Sequence, residues 1–451
     1  MSALPTPPSE MPRLGNSRFM PMGTPCESVD SYRPGGFHPV HLGDVLHDRY
    51  RIIRKLGYGS FAIVWLAVDS TSSNYVALKI HAANVDVSNE LSIHQHLVNN
   101  ASQDSNSKFV LLLSDAFTLS GPNGKHHCFV TDPMGPSVSA VLNAPHEYYD
   151  PLSPPTHRFP TPRNKAILRN ILSGLDFLHS NGIAHGDLQS GNLLFSLQGL
   201  TGIDPDKLRQ NEANSQLDPV TRVDGKVDQW APRYLAVPEP LTQDVLPDEQ
   251  QILYDQQIVK LADFGGAFWI SKPPKSIVTP VALRAPEIIL HDQGSPASDI
   301  WSFGCLTYAL LTDSPLFQVF DFGRQDDVID DEHLIELSEV VGPLPDHMRA
   351  RWPRYSTYFG PGGERLDARP GDFDESEMGR TLRAISLKRA EDHGPPKASP
   401  PLQDEFFRLK PNGINEVEAE KIVTLLKEIL QFDPLARPSA STLLTNSWFT
   451  T

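Results

Sequence analysis

In a chain of 451 residues, His185-Gly186-Asp187-Leu188-Gln189-Ser190-Gly191-Asn192 is followed, 71 residues after Asn192, by Asp263-Phe264-Gly265. This pair of segments constrains the fold most, because its polar groups act together only if two turns far apart in sequence meet in space. A phosphoryl group in transfer spreads negative charge over its oxygens, so that chemistry needs divalent cations held by oxygen ligands. Asn192 and Asp263 are the candidate ligands. An attacking hydroxyl also needs a proton acceptor in line with the phosphorus, and Asp187 is the candidate general base. His-Gly-Asp alone is an ordinary turn sequence, since Gly and Asp favour turns everywhere. The other parts of the chain must decide.

Residues 50 to 80 supply several of those parts. Tyr50 to Leu56, Ile63 to Val68 and Tyr75 to Ile80 read as strands, the first two joined by Gly57-Tyr58-Gly59-Ser60-Phe61-Ala62. Glycines at 57 and 59 let backbone amides approach phosphates without a clashing Cβ, although Ala62 stands where a third glycine is usual. Val76-Ala77-Leu78-Lys79 ends the β-rich run with a lysine placed to reach the α and β phosphates. The plain alternative is a solvated lysine at a strand end. Glu90 is its expected partner, within Ser88 to Leu97, where Ile93 and Leu97 suit one face of a helix.

Taken in order, these motifs resemble those of the eukaryotic protein kinases. The resemblance extends to Ala285-Pro286-Glu287, to Ser298-Asp299-Ile300-Trp301-Ser302-Phe303-Gly304-Cys305, and to Arg437 in Phe432-Asp433-Pro434-Leu435-Ala436-Arg437-Pro438. It implies an α+β, two-lobed fold: an N-lobe with an antiparallel β-sheet plus one helix over residues 31–134, and a larger, mainly helical C-lobe over 135–449. It implies ATP and Mg²⁺ as cofactors. Leu56, Gly57, Tyr58, Gly59, Ser60, Val64, Ala77, Lys79, Asp132 and Met134 would bind ATP, with Thr131 as gatekeeper. Asp187, Lys79, Glu90 and Gln189 would be catalytic, and Asn192 and Asp263 would hold metal. Asp299 would brace the catalytic loop through backbone amides, and Glu287 would pair with Arg437.

A narrower likeness lies in Tyr32-Arg33-Pro34-Gly35-Gly36-Phe37-His38-Pro39-Val40-His41-Leu42-Gly43-Asp44, which is similar to the lead-in of the SR-protein kinases. Those enzymes phosphorylate serines in Arg/Ser-rich splicing factors. The expectation is therefore a serine/threonine protein kinase acting, as a monomer, on basic Arg/Ser-rich proteins linked to mRNA splicing. Two departures qualify it. The arginine usual before the catalytic Asp is Gly186, so an activation loop phosphorylated between 263 and 287 would lack that cationic partner. The lysine usual two residues after it is Gln189, a neutral amide that predicts slower turnover. A pseudokinase or scaffold, or a small-molecule kinase sharing the His-Gly-Asp and Asn pattern, remains open at this point.

Composition fits such a protein: 39% hydrophobic and 21% charged residues are globular values. No apolar run is long enough to span a bilayer, and the Pro-rich start has neither the basic end nor the apolar centre of a signal peptide. The expected location is cytoplasm and nucleus, without direct binding to membrane or nucleic acid. A formal charge of −16 favours basic partners. Asp326, Asp327, Asp330, Asp331 and Glu332 form the densest acidic cluster, either a docking site for arginines or a solvated helix start. Cys26, Cys128 and Cys305 are too few for a disulfide framework. Three segments read as poorly packed: a Pro/Ser-rich disordered tail at 1–30, a Pro-rich loop at 143–162, and a short spacer-like insertion at 196–257.

Overall fold

The computed structural model describes residues 17–450 except 144–158, 198–199, 201, 211–214, 242–257, 320–324, 367–376, 378–379, 382–383 and 385–397. Two compact units form, one from Met1–Ser102, Val110–Ser137 and Leu194–Lys260, the other from Gln103–Phe109, Val138–Leu193 and Leu261–Thr451.

The first unit is built on six strands: β1 (Val45–Leu46), β2 (Tyr50–Tyr58), β3 (Ala62–Asp69), β4 (Tyr75–His81), β5 (Leu113–Gly121) and β6 (Gly124–Thr131). Their order is β1-β2-β3-β4-β6-β5, with every neighbouring pair antiparallel. Helix α1 (Ser88–Asn100) presents Glu90, Ile93, His94 and Leu97 as its buried residues. That spacing is the stripe a helix uses to pack on a sheet.

On β5 intermediate and exposed residues alternate, whereas β3 is buried at six of its eight positions. A strand buried on both faces needs cover on both. Here the chain ahead of β1 supplies it: Phe19, Val29, Tyr32 and Phe37 share a core with Ile52 and Trp65 of the sheet. The described part of the expected disordered tail, residues 17–30, is therefore packed. Its polar groups are committed too. Glu27 accepts from Lys55 Nζ and from the Tyr32 hydroxyl, all three buried, and Arg18 shares Asp228 with Arg222 at 3.0 Å each. Alternation in the sequence could not reveal these partners, because an isolated acid in a Pro-rich stretch carries no period. Residues 1–16 and most of the 143–162 loop lie outside the described residues.

The described part of the 196–257 insertion, expected within the C-lobe, groups instead with the first unit. The cause is hydrogen bonding along β2: Gln210 N donates to Ile53 O at 2.9 Å, Lys55 N to the Gln210 amide oxygen at 3.0 Å, and Glu239 N to Lys55 O at 2.8 Å. Arg54, also buried, donates to Leu208 O at 2.7 Å and to Glu239. Backbone groups that would otherwise be stranded at a bulged strand are satisfied this way. The insertion also carries a hairpin, β10 (Leu217–Pro219) with β11 (Tyr234–Ala236), whose Leu235 and Ala236 join the core that buries Trp65. After β6, β7 (Met134–Ser137) pairs with β9 (Leu193–Ser196), itself beside β12 (Val259–Leu261).

The second unit is mainly helical. Helix α3 (Thr161–Ser180) takes in the last two residues of the expected Pro-rich loop, with Pro162 in its first turn, where the missing N–H costs nothing. Helix α6 (Pro296–Thr312) starts with a capping box of Ser295 and Ser298 and buries 14 of its 17 residues. Helix α7 (Asp326–Val340) and the helices Leu402–Leu409 and Glu416–Ile429 complete the main body.

Candidate active site

In the first unit, one row across the sheet pairs Gly57 with Val64, Val64 with Lys79, and Lys79 with Phe129. Directly opposed residues share a face, so the glycine turn and the lysine lie on one line. Tyr58 and Phe61 at the turn are 43% and 67% exposed, as a loop meant to cover a ligand requires. Leu56 is half-buried, Ala77 buried, and Gly59 and Ser60 exposed. Lys79 Nζ meets Glu90 Oε1 at 2.9 Å, the contact expected of the pair. Burial pushes the Glu90 carboxyl up, but His81 and Lys79 outweigh it and hold the group down at about 2. Further along this unit, Thr131 ends β6, Asp132 is exposed 3.8 Å from Lys260, and Met134 is buried opposite Ser196.

In the second unit, β8 (Ile183–Ala184) pairs with β13 (Phe268–Trp269) and delivers the chain into His185-Gly186-Asp187. Buried Asp299, on α6, accepts from His185 N at 2.8 Å, Gly186 N at 2.9 Å and His179 Nε2 at 2.9 Å. Burial raises its carboxyl, yet these donors win and its pKa lies below the ordinary range. His185 Nδ1 accepts from Asp187 N at 3.3 Å, so its Nε2 carries the hydrogen facing Ala262 O at 3.2 Å. Ala262 N in turn donates to Asn192 O at 2.9 Å. The two turns separated in sequence are thus stitched together immediately before Asp263.

Gly186 has φ 72°, and a Cβ there would stand 2.3 Å from Gly266 O. A Cβ on Gly266 would in turn meet Asp187 Cβ at 3.0 Å. The Asp-Phe-Gly turn therefore packs directly on the catalytic loop. Its Asp263 is exposed and left-handed at φ 63°, and Phe264 is buried with its ring 5.5 Å from that of His185.

Around Asp187, Gln189 Nε2 donates to both carboxylate oxygens at 2.9 and 3.0 Å, and Asn192 Nδ2 donates to Oδ2 and to the Asp187 carbonyl, both at 2.9 Å. Burial pushes the Asp187 carboxyl up and the nearby Asp263 charge adds to it, while the two amides pull the other way. The net direction is up. Because Asn192 turns its NH₂ onto Asp187, its amide oxygen is the group left to face outward, and with the Asp263 carboxylate it makes an all-oxygen donor pair. Such hard donors suit Mg²⁺, which takes few protein ligands and fills the rest of its sphere with water and phosphate. Among the described residues no cluster of three or more His, Cys, Asp or Glu offers a softer metal an alternative.

Glu287 lies buried beneath this site. Arg437 donates to it in bidentate fashion at 2.8 and 2.7 Å, Ser298 adds 3.0 Å, and the guanidinium lies 5.0 Å from the Trp301 ring centroid. Thr279, not foreseen from sequence, donates its hydroxyl to Gly186 O at 2.6 Å and ties the 263–287 segment to the catalytic loop. His81 was also missed, although its place two residues after Lys79 puts it on the same face of β4. The acidic cluster divides: Asp331 is buried and bonded to Trp352, Arg354 and Tyr358, whereas Asp326 and Asp327 are exposed.

A protein kinase domain model matches residues 50–208 and 247–449. Among curated proteins, the serine/threonine-protein kinase SRPK of Physarum polycephalum is 29% identical over 429 residues, covering 92% of this chain and 89% of that one. Human SRSF protein kinase 3 is 33% identical over 174 residues, covering 37% and 29%. The crystal structure of the PF14_0431 kinase domain superposes with a TM-score of 0.58 at 22% identity, covering 92% of this chain and 98% of that one, and shares the fold. With matched motifs on both units and relatives of this kind, the chain belongs to the protein kinase family, as a serine/threonine kinase of the SR-protein kinase type.

Proposed function

We propose that this kinase transfers the γ-phosphate of ATP to serine or threonine hydroxyls in basic, Arg/Ser-rich proteins linked to mRNA splicing, acting as a monomer in cytoplasm and nucleus. The observation that carries the chemistry is the Asp187 carboxylate, oriented by Asn192 and Gln189 and raised above the ordinary aspartate range. A base whose pKa lies nearer working pH is a better acceptor for a hydroxyl proton. In this reading Asp187 takes that proton as the oxygen attacks phosphorus. Lys79, fixed by Glu90, takes the α and β phosphates, and the 57–62 turn covers them with backbone amides. Asn192 and Asp263 would hold Mg²⁺, which when bound offsets the charge of the phosphates.

Substrate class is supported by the −16 formal charge and by relatives named for SRSF proteins. On α7, Asp330 is half-buried and its carboxyl is pushed up by that burial, against the pull of His291 and Arg284. Exposed Asp326 is therefore the better arginine contact, since the Asp327 carboxylate is already paired with Arg354 at 3.0 Å. Gln189 favours a second reading, weak phosphotransfer, since no cation stands beside the base at that position.

The test is transfer of labelled phosphate from Mg²⁺-ATP to an Arg/Ser-repeat peptide and to a serine peptide without arginine, with Asp187→Asn as control. Labelling of the first peptide alone, lost in the control, is the expected result. Equal labelling of both would remove the substrate class, and labelling of neither with ATP still bound would favour the second reading.

A further inference from the structure

His81 is buried at the end of β4, with its ring edge-on to Phe129 at 4.7 Å between centroids. Its Nδ1 lies 3.0 Å from His127 O, and a carbonyl only accepts, so Nδ1 carries a hydrogen. Its Nε2 makes no hydrogen bond, and the carboxylate oxygen Glu90 Oε2 lies 3.6 Å from it, within ion-pair distance. Oε1 of the same carboxylate is the atom that meets Lys79. With Nε2 bare, a lone pair would face a buried carboxylate oxygen, an arrangement that costs free energy in a low-dielectric site. With Nε2 protonated, the same geometry becomes a second charged contact.

The groups around the ring are few. Its own strand contributes Lys79; α1 contributes Glu90 and His94; β6 contributes His126, whose Nδ1 lies 3.0 Å from His81 O, and His127. Glu90 is the one anion in that set.

We propose that His81 is a positioning residue for phosphate transfer: its Nε2–H holds Glu90 Oε2, so that the carboxylate is fixed at both oxygens and delivers Oε1 to Lys79. The inference rests on the kinase reading of Lys79 and Glu90, and deepens it. A glutamate held only by lysine can swing with the lysine when phosphate arrives. One held by a second donor from the strand itself stays in register, because Lys79 and His81 leave the same face of β4 two residues apart. The depressed Glu90 carboxyl, for which His81 is the largest favourable cause, agrees with the geometry.

The experiment compares wild type, His81→Leu and His81→Gln on the full chain. Gln places an N–H near the position of Nε2 but cannot titrate; Leu fills space without a donor. Three quantities are read: KM for ATP and kcat across pH, ATP affinity by calorimetry, and ring protonation of His81 by nitrogen NMR. His81→Leu should raise KM and weaken ATP binding roughly tenfold, the scale of one hydrogen bond to a charged group. His81→Gln should restore most of both, because its amide supplies an N–H in place of the ring donor. NMR should find a hydrogen on Nε2 as well as on Nδ1. A Leu variant with unchanged KM overturns the proposal. So does one that is impaired but not rescued by Gln, the signature of packing alone. If wild type transfers no phosphate, the kinase reading fails separately, and calorimetry and NMR still decide whether His81 holds Glu90.

Discussion

In the first unit a buried glutamate meets the Lys79 ammonium at 2.9 Å and lies 3.6 Å from His81 Nε2, and its carboxyl lies at about 2. In the second, Asp187 is held by two neutral amides, those of Gln189 and Asn192, and its carboxyl is raised. Both groups are substantially buried, so desolvation opposes charge in each. What differs is the partner. Charged partners make a carboxylate an anchor that never gives up its negative charge near neutral pH; amides orient it equally well but leave it willing to take a proton. Inside the second unit, Glu287 is likewise bonded to a cationic partner, the Arg437 guanidinium.

The sharpest break in this comparison is Asp187→Asn. It should lower the phosphoryl-transfer rate by about 10³-fold, the scale of a lost general base. Stability at neutral pH should hold or rise. A carboxyl raised by folding stabilises the native state below its ordinary pKa and loses that contribution as pH rises through the raised value. A marked fall in urea midpoint would mean that Asp187 is an anchor too.

Arg437→Met tests the opposite kind of carboxylate. Removing the guanidinium strands Glu287 in the core and should cost about 3 kcal/mol of stability, read from urea unfolding. Glu90 should behave likewise with acid: its contribution, complete above about 4.5, is lost as pH falls towards about 2.

Gln189→Lys would turn the amide-held base into a cation-held one. The acid limb of kcat/KM should then move to lower pH, with turnover rising roughly tenfold as a charge reaches the γ-phosphate. An unchanged acid limb would show that the amide does not set the base. The smallest effect concerns Gly186: with no arginine at that position, phosphatase treatment should alter activity by less than about twofold.

How legible these features were in the sequence depended on their range. Lys79, Glu90, Asp187, Asn192 and Asp263 stand in motifs whose spacing carries the chemistry, and the pairing of Glu287 with Arg437 came with the family resemblance. The strands from 50 to 80 followed from residue type and turn glycines. The partners of Glu27 and the route of the insertion along β2 were not legible, because each is one polar contact between segments with no common period. Asp331 was misjudged with its neighbours because an acidic run looks uniform, whereas a helix turns one carboxylate in four inward, here onto Trp352 and Tyr358. His81 was readable in principle from strand alternation.

The burial of Lys55 against Glu27 bears on where this catalytic body begins. The protein kinase domain model begins its match at residue 50, and a fragment cut there would satisfy that model. It would nonetheless carry an ammonium group, less than 2% exposed in the folded protein, into a core stripped of its counter-ion, just ahead of the glycine turn at 57–62. The edge of the matched domain and the edge of the packed core differ, and the difference includes one carboxylate 23 residues upstream of the first matched residue.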